Sequence, residues 1–289
     1  MRKVFIFFFI ISLFTACNNN KLNKKIITVS IAPQKFFVEQ IADTIFDIQT
    51  LIPVGAAPAT YEPTAKQLIN LNNSIAYFRI GYIGFEQAWT SKIKDNNPQL
   101  NIIDCSKGTD LIYAKAHRHG DHVHLEGVDP HIWLSPKSVR KQAEIILNSL
   151  INISPENRDL FNSNFNKFIS KINSVDTYII NATEKIKGKK FIIFHPALTY
   201  FASEYDLVQV PMEMDGKTPS PVYIKEIIDL AKQNDIHTVF IQKEFDSNNA
   251  QLIAKEINGK VIQIEPLMEN WIKNITEITD QIVTSTQNK

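Results

Sequence analysis

The stretch between Pro155 and Gly188 constrains the fold more than any other part of the chain. It contains no further proline or glycine, and its apolar residues recur at intervals of three and four, the spacing of one helix face. A helix of about 33 residues would span roughly 50 Å. We therefore predict one long helix over residues 154–188 that packs along two lobes. Two shorter helices with a bend near Asn173-Ser174 are the alternative.

Short apolar runs and amphipathic segments alternate on both sides of that stretch. This order favours mainly parallel sheets covered by helices. The predicted fold class is α/β, with two similar lobes of mainly parallel sheet, over residues 26–153 and 189–289, joined by the long helix. Ser135-Pro136 marks a helix start, because serine can cap free amides and proline fits the first helical position. The net charge of +1 gives no reason to expect a nucleic acid partner.

The first 17 residues have the pattern of a secretory signal. A basic start is followed by an almost unbroken apolar run over residues 4–14, which is too short for a comfortable transmembrane span. The ending LFTAC resembles a bacterial lipobox, although Phe14 stands where that pattern usually has an aliphatic residue. We expect a lipoprotein signal peptide over residues 1–17, lipidation at Cys17, and a polar tether over residues 18–25. The alternative is a plain cleaved signal with an incidental cysteine.

Five of the seven histidines lie within fifteen positions of one another. Four are clustered in a loop over residues 116–128, and these are His117, His119, His122 and His124. The fifth, His131, follows in the sequence DPHIW. Histidine is the commonest metal ligand among side chains. We interpret the loop as a mobile collector of metal, an accessory site, and His131 as a fixed ligand.

Two further candidate ligands directly follow predicted strands of the second lobe. His195 follows the run FIIF, and Glu265 follows VIQI. In open α/β sheets, ligands bind beyond the carboxyl ends of strands. Two imidazoles and one carboxylate are a plausible three-ligand set for Zn²⁺, so we name His131, His195 and Glu265 as candidate metal ligands. His237 stands before a strand, and we interpret it as structural.

Four motifs resemble those of the solute-binding lipoproteins of zinc and manganese ABC importers, the metal-binding group with a long inter-lobe helix. They are PVGAAPATYEPT at residues 53–64, DPHIWLSP at 129–136, HPALTYF at 195–201 with TPSP at 218–221, and IEPL at 264–267. The resemblance covers almost all of the chain after its signal. It implies two α/β lobes with the metal in the cleft between them. It also favours zinc, since manganese-binding relatives tend to have glutamate where this chain has His195, and Mn²⁺ prefers oxygen ligands.

The chain departs from the family pattern at one ligand position. Ala59 stands where the family's first motif normally carries a histidine, and alanine cannot bind a metal. A water could complete the coordination, a histidine of the 116–128 loop could enter the site, or the protein could bind another ligand. In the fourth motif, Glu265 replaces the family's usual aspartate, which keeps a carboxylate at that position.

The resemblance implies a function in transport. We expect the protein to be exported and anchored by lipid to a bacterial membrane, on the periplasmic or cell-surface face. There it would capture a divalent transition metal, Zn(II) as cargo, as a monomer and deliver it to an ABC permease. Manganese or another metal is the alternative cargo. A zinc-dependent hydrolase and a metal-free adhesin are further alternatives; no His-Glu-x-x-His motif supports the hydrolase, so we expect no enzyme activity.

Overall fold

The computed structural model describes residues 24–113, 117–119, 122–124, 127–213 and 219–287. The predicted signal peptide, the lipidation site Cys17 and the tether up to residue 23 lie outside the described residues. The side chains of the four clustered histidines, His117, His119, His122 and His124, also lie outside them.

The first lobe is a four-stranded parallel sheet with helices between its strands. Its elements are β1 (Ile26–Val29), α1 (Ala32–Ala42), β2 (Asp47–Thr50), α2 (Ala65–Asn72), β3 (Ala76–Arg79), α3 (Gly84–Asn96) and β4 (Asn101–Asp104). The strand order is β2-β1-β3-β4, and every pair is parallel. Ile27 and Val29 of β1 and Phe78 of β3 are fully buried, as expected for central strands covered on both faces.

A short hairpin and a capped helix lead out of this lobe. The hairpin pairs β5 (His117–His119) with β6 (His122–His124) in antiparallel register, so that positions 117 and 119 lie opposite 124 and 122. A 3-10 turn, Ile132–Leu134, then precedes α4 (Pro136–Ile153). The Ser135 hydroxyl accepts a hydrogen bond from the Ser138 amide at the start of α4, which confirms the predicted cap.

A single long helix joins the lobes. α5 (Arg158–Thr183) has 26 residues and continues as helix through Asn173 and Ser174, which confirms the long helix and not the bend. Its length is about 39 Å at 1.5 Å per residue. The 3-10 turns Pro155–Asn157 and Glu184–Ile186 extend it at both ends. Its apolar face packs against α1 and α4 on one side and against the last helix of the chain on the other.

The second lobe repeats the plan of the first. Its elements are β7 (Lys190–Ile193), α6 (Thr199–Glu204), β8 (Val208–Pro211), α7 (Pro221–Gln233), β9 (Thr238–Gln242), α8 (Asn248–Glu256), β10 (Lys260–Ile264) and α9 (Trp271–Gln287). The strands are parallel in the order β10-β9-β7-β8. Two parallel α/β lobes joined by one long helix confirm the predicted fold class. Among the described helices, none is long and apolar enough to cross a membrane.

Two tryptophans connect the lobes through buried hydrogen bonds. Trp133 Nε1 donates to the Pro266 carbonyl over 3.0 Å, and Trp271 Nε1 donates to the Trp133 carbonyl over 2.6 Å. The Trp271 ring also meets Phe37 of α1 edge-on at 5.7 Å. One continuous hydrophobic core therefore runs from the first sheet through α5 to α9, and a second, smaller core covers the other face of the second sheet.

Candidate metal centre

A cavity of about 440 Å³ lies between the two lobes and receives side chains from both. Its wall includes Ala59 and His131 from the first lobe and His195, Glu213 and Glu244 from the second. Two of these residues, His131 and His195, are ligands predicted from the sequence. The cavity is thus the candidate site for metal binding.

His131 and His195 meet across the cavity. His131 immediately precedes the 3-10 turn Ile132–Leu134, and His195 follows the carboxyl end of β7, as the rule for parallel sheets predicts. Their Nε2 atoms are 3.3 Å apart, and the ring centroids are 5.2 Å apart. The Phe245 ring stacks on His195 at 5.3 Å, so one face of that imidazole is covered by an apolar group.

A carboxylate lies against the other nitrogen of each imidazole. Asp129 Oδ1 is 2.8 Å from His131 Nδ1 and also accepts the His131 backbone amide over 2.9 Å. Glu213 Oε2 is 3.2 Å from His195 Nδ1. Burial alone would raise the pKa of Asp129, but the neighbouring His131 lowers it below its ordinary value, so this carboxylate is ionised near neutral pH. An ionised carboxylate accepts hydrogen bonds only, so it places the imidazole proton on Nδ1.

With both ring protons on Nδ1, the two Nε2 atoms face each other as lone pairs. Two acceptors at 3.3 Å cannot hydrogen-bond to each other, so this arrangement needs a cation or a proton between them. With zinc–nitrogen bonds of about 2.0–2.1 Å at tetrahedral angles, two ligand nitrogens lie about 3.3–3.4 Å apart. The observed separation matches that value, so the pair fits two ligands of one tetrahedral zinc ion.

The predicted carboxylate ligand lies to one side of this pair. Glu265 follows β10, and its Oε1 atom is 3.9 Å from Lys243 Nζ. The next two residues, Pro266 and Leu267, line the cavity. Within the described part of the chain, no three His, Cys, Asp or Glu side chains stand together as a complete metal-binding group. The structure thus brings His131 and His195 together, and the role of Glu265 as a ligand stays a prediction.

Ala59 lies in the cavity wall, at the position expected from the family motif. The loop that carries it rests on the start of α3, where Phe85 donates its amide to the Pro58 carbonyl over 3.2 Å. A Cβ atom on Gly84 would lie only 2.4 Å from the Ala59 carbonyl oxygen, so the glycine permits this close approach. Position 59 therefore faces the site with a methyl group in place of a metal ligand.

Three carboxylates at this site escaped the sequence analysis. Asp129 lies two residues before His131, and that spacing could have suggested its role. Glu213 lies two residues after β8, so the strand-end rule could have found it. Glu244 lies two residues after β9, so the strand-end rule could have found it. Burial and the charge of Glu265 raise the pKa of Glu244 above its ordinary value.

His237 lies outside the cavity and forms its own contacts. Its Nδ1 is 2.8 Å from the Ile257 carbonyl, and its Nε2 is 3.0 Å from Asp235 Oδ1. These hydrogen bonds raise the pKa of His237 above its ordinary value. With both ring nitrogens bonded, the imidazole fits the structural role expected of it.

Comparisons with known proteins identify the family of the chain. The sequence profile described as "Zinc-uptake complex component A periplasmic" matches residues 27–285. The chain is 26% identical over 265 residues to the high-affinity zinc uptake system protein ZnuA of Bacillus subtilis (strain 168), covering 86% of this chain and 82% of that protein. It is also 26% identical to the zinc-binding lipoprotein AdcA of Streptococcus pneumoniae (strain R6) over 92% of this chain, and it spans 58% of the length of AdcA.

Solved structures of similar proteins share the fold over nearly the whole chain. A crystal structure of a ZnuA deletion mutant with zinc bound has a TM-score of 0.85 and 34% identity, covering 92% of this chain and 99% of that one. A crystal structure of ZnuA has a TM-score of 0.83 and 35% identity, covering 91% and 100%. The profile match covers well over half of the sequence. The chain therefore belongs to the family of component A, the periplasmic component, of zinc-uptake complexes.

Proposed function

We propose that this protein captures Zn(II) outside the cytoplasm with His131, His195 and Glu265 and delivers it to the permease of an ABC transporter. The observation that supports this most strongly is the 3.3 Å separation of two imidazole Nε2 atoms whose Nδ1 atoms both face carboxylates. Proteins of this family are not enzymes. The protein's task is therefore to bind, hold and release the ion.

Capture would use the two imidazoles as neutral rings. Each would keep its Nδ1 proton against Asp129 or Glu213 and bind the ion through Nε2. Glu265 would supply a negative oxygen ligand. Affinity should fall as the pH drops, because protonated imidazoles cannot bind a metal. A water or a histidine of the 116–128 loop would complete the site if no other side chain does.

Zinc is the proposed cargo, and manganese is the alternative. Imidazole nitrogen suits Zn²⁺, whereas oxygen ligands suit Mn²⁺. Solved relatives with zinc bound, including the ZnuA deletion mutant and AdcA of Streptococcus pneumoniae, support the same choice for this chain. Competition of the two metals for the purified protein would measure the preference directly.

The proposed location is the outer face of a bacterial membrane, with lipid on Cys17. The predicted lipobox supports it, as does the lipoprotein name of the relative AdcA. A Cys17→Ser variant expressed in a bacterium should move from the membrane fraction to the soluble exported fraction. If wild type and variant distribute identically, the lipid anchor is wrong while the metal site is unaffected.

Zinc content of the purified exported chain tests the main proposal. We expect one tightly bound zinc ion per molecule, and loss of that ion in a His131→Ala/His195→Ala double variant. His237→Ala is the matched control, because it removes an imidazole that lies outside the cavity, and it should keep the ion. Absence of stoichiometric zinc in wild type, or unaltered binding in the double variant, would overturn the proposal.

The contribution of the histidine loop needs a separate variant. Deletion of residues 117–124 should lower zinc affinity if one of the loop histidines enters the site. An unchanged affinity at the single tight site would exclude the loop as a source of ligands. It would leave the loop with the role of a collector, which predicts slower loading at low zinc concentration and an unchanged equilibrium.

A further inference from the structure

The topology of the second sheet places Glu244 between the two strand ends that carry the predicted ligands. β9 lies between β7, which leads to His195, and β10, which leads to Glu265. In the register of β9 with β10, Gln242 lies beside Ile264. Glu244 follows two residues later and lines the cavity. Glu244 therefore lines the same cavity as the predicted ligands His131 and His195.

Two contacts hold the Glu244 segment against His195. The Gln242 side chain donates to the His195 carbonyl over 2.7 Å and accepts the His195 amide over 3.2 Å. On the other side of Glu244, the Phe245 ring stacks on the His195 ring at an interplanar angle of 25°. Because Gln242 and Phe245, on either side of Glu244, both contact His195, the backbone of this segment is held beside the imidazole, and the Glu244 side chain is half-buried.

We propose that the carboxylate of Glu244 is a ligand of the captured metal and takes the place of the imidazole that Ala59 cannot supply. This inference rests on the proposed function of the cavity. A carboxylate binds Zn²⁺ at about 2.0–2.2 Å. Glu244 lines the same cavity as His131 and His195, so rotation of its side chain is the movement that ligation would require. The site then holds two imidazoles and two carboxylates, with Glu265 as the second.

Charge balance supports this donor set. Two neutral imidazoles and two carboxylates carry two negative charges, which a divalent cation neutralises. Without the cation, Glu244 and Glu265 repel each other, and Lys243, whose Nζ atom is 3.9 Å from Glu265 Oε1, offsets only part of that repulsion. Metal binding thus relieves a repulsion that the empty arrangement contains. Because an oxygen ligand replaces a nitrogen ligand, the wild-type protein should prefer zinc over manganese by a smaller factor than an Ala59→His variant does.

Glu244→Gln tests the proposal with Glu256→Gln as its matched control. Glu256 is exposed at the end of α8, beside His237 at the opposite end of β9. We expect Glu244→Gln to weaken zinc binding by about 100-fold or more. Removal of an outer-shell partner typically costs about 10–100-fold, and removal of a ligand should cost at least the upper end of that range. The control should stay within about twofold of wild type. Competition with a chromophoric chelator measures both, and the absorption spectrum of bound Co²⁺ should change in Glu244→Gln alone.

A rescue separates ligation from packing. If Glu244 replaces a missing imidazole, Ala59→His should raise zinc affinity far more in the Glu244→Gln background than in wild type; if it only packs, the two gains should be equal. The melting temperature of the metal-free variants checks that they are folded. The inference is overturned if Glu244→Gln keeps the wild-type zinc affinity and Co²⁺ spectrum, or if Ala59→His raises zinc affinity equally in both backgrounds. Either result leaves the proposed function intact. Failure of wild type to bind zinc overturns the proposed function itself.

Discussion

Loss of the carboxylate beside His131 should weaken zinc binding without removing a metal ligand. Asp129→Asn keeps the size of the side chain and an oxygen that can accept the His131 backbone amide. It removes the negative charge 2.8 Å from Nδ1, which fixes the ring proton there and makes Nε2 a better donor to the metal. Substitutions of such partners typically cost about 10–100-fold in metal affinity, or about 1.4–2.7 kcal/mol.

The structure predicts that Asp129→Asn loses zinc affinity near the top of that range and that Glu213→Gln loses less. Glu213 lies 3.2 Å from His195 Nδ1, a longer and weaker contact than the 2.8 Å of Asp129, which also holds the His131 amide. Glu213→Gln should therefore cost less than Asp129→Asn. Chelator competition near neutral pH gives both affinities on one scale.

A matched control lies elsewhere in the same lobe as His195. Asp235 contacts an imidazole in the same way, with Oδ1 3.0 Å from His237 Nε2, but that imidazole is outside the cavity. Asp235→Asn should leave zinc affinity unchanged. If Asp129→Asn binds zinc within about twofold of wild type, the outer-shell reasoning is refuted, and the imidazole orientation must be set by other contacts.

Three further changes test contacts that support the site. Trp133→Phe leaves the buried Pro266 carbonyl without its donor and should lower the free energy of unfolding in urea by about 1–3 kcal/mol. Gly84→Ala places a Cβ atom 2.4 Å from the Ala59 carbonyl, so it should displace that loop and cancel the gain in zinc affinity from Ala59→His in a competition assay. Burial raises the pKa of Glu86, in α3, above its ordinary value. Its protonated form therefore adds to the free energy of unfolding at low pH, and this contribution is lost as the pH rises through the folded-state pKa. Urea unfolding across pH should show this fall in wild type and not in Glu86→Gln.

Local chemistry accounts for the parts of the fold that the sequence predicted well. The long helix follows from an apolar stripe without proline or glycine, and Ser135 caps α4 because its hydroxyl is the first acceptor available to the free amides. His195 was predicted to reach the site because it closely follows the carboxyl end of β7, a strand of a parallel sheet. Each of these inferences needs only a few neighbouring residues.

The remaining features depend on contacts between segments far apart in the chain. The long helical stretch, residues 155–186, is close to the predicted length of about 33 residues, and only its first and last turns differ, with 3-10 geometry around the 26-residue α5. Glu213 is 18 residues from the imidazole it contacts, and its place after β8 indicates the cavity but not that partner. Glu244 was missed because the family motif directs attention to Glu265, whereas the order of strands in the sheet puts β9, which leads to Glu244, next to β7, which leads to His195.

The tryptophan contacts limit how the lobes can move when metal binds. Trp133 lies two residues after His131, and its Nε1 bonds to the carbonyl of Pro266, the residue after Glu265; Trp271 bonds back to the Trp133 carbonyl. Opening the cleft at this point would leave buried polar groups unpaired, at about 1–3 kcal/mol for each. Reorienting one glutamate side chain costs at most about 2 kcal/mol of conformational entropy. Metal entry should therefore proceed by rotation of Glu244 and Glu265 at the cavity, with the backbone positions of the two imidazoles nearly unchanged.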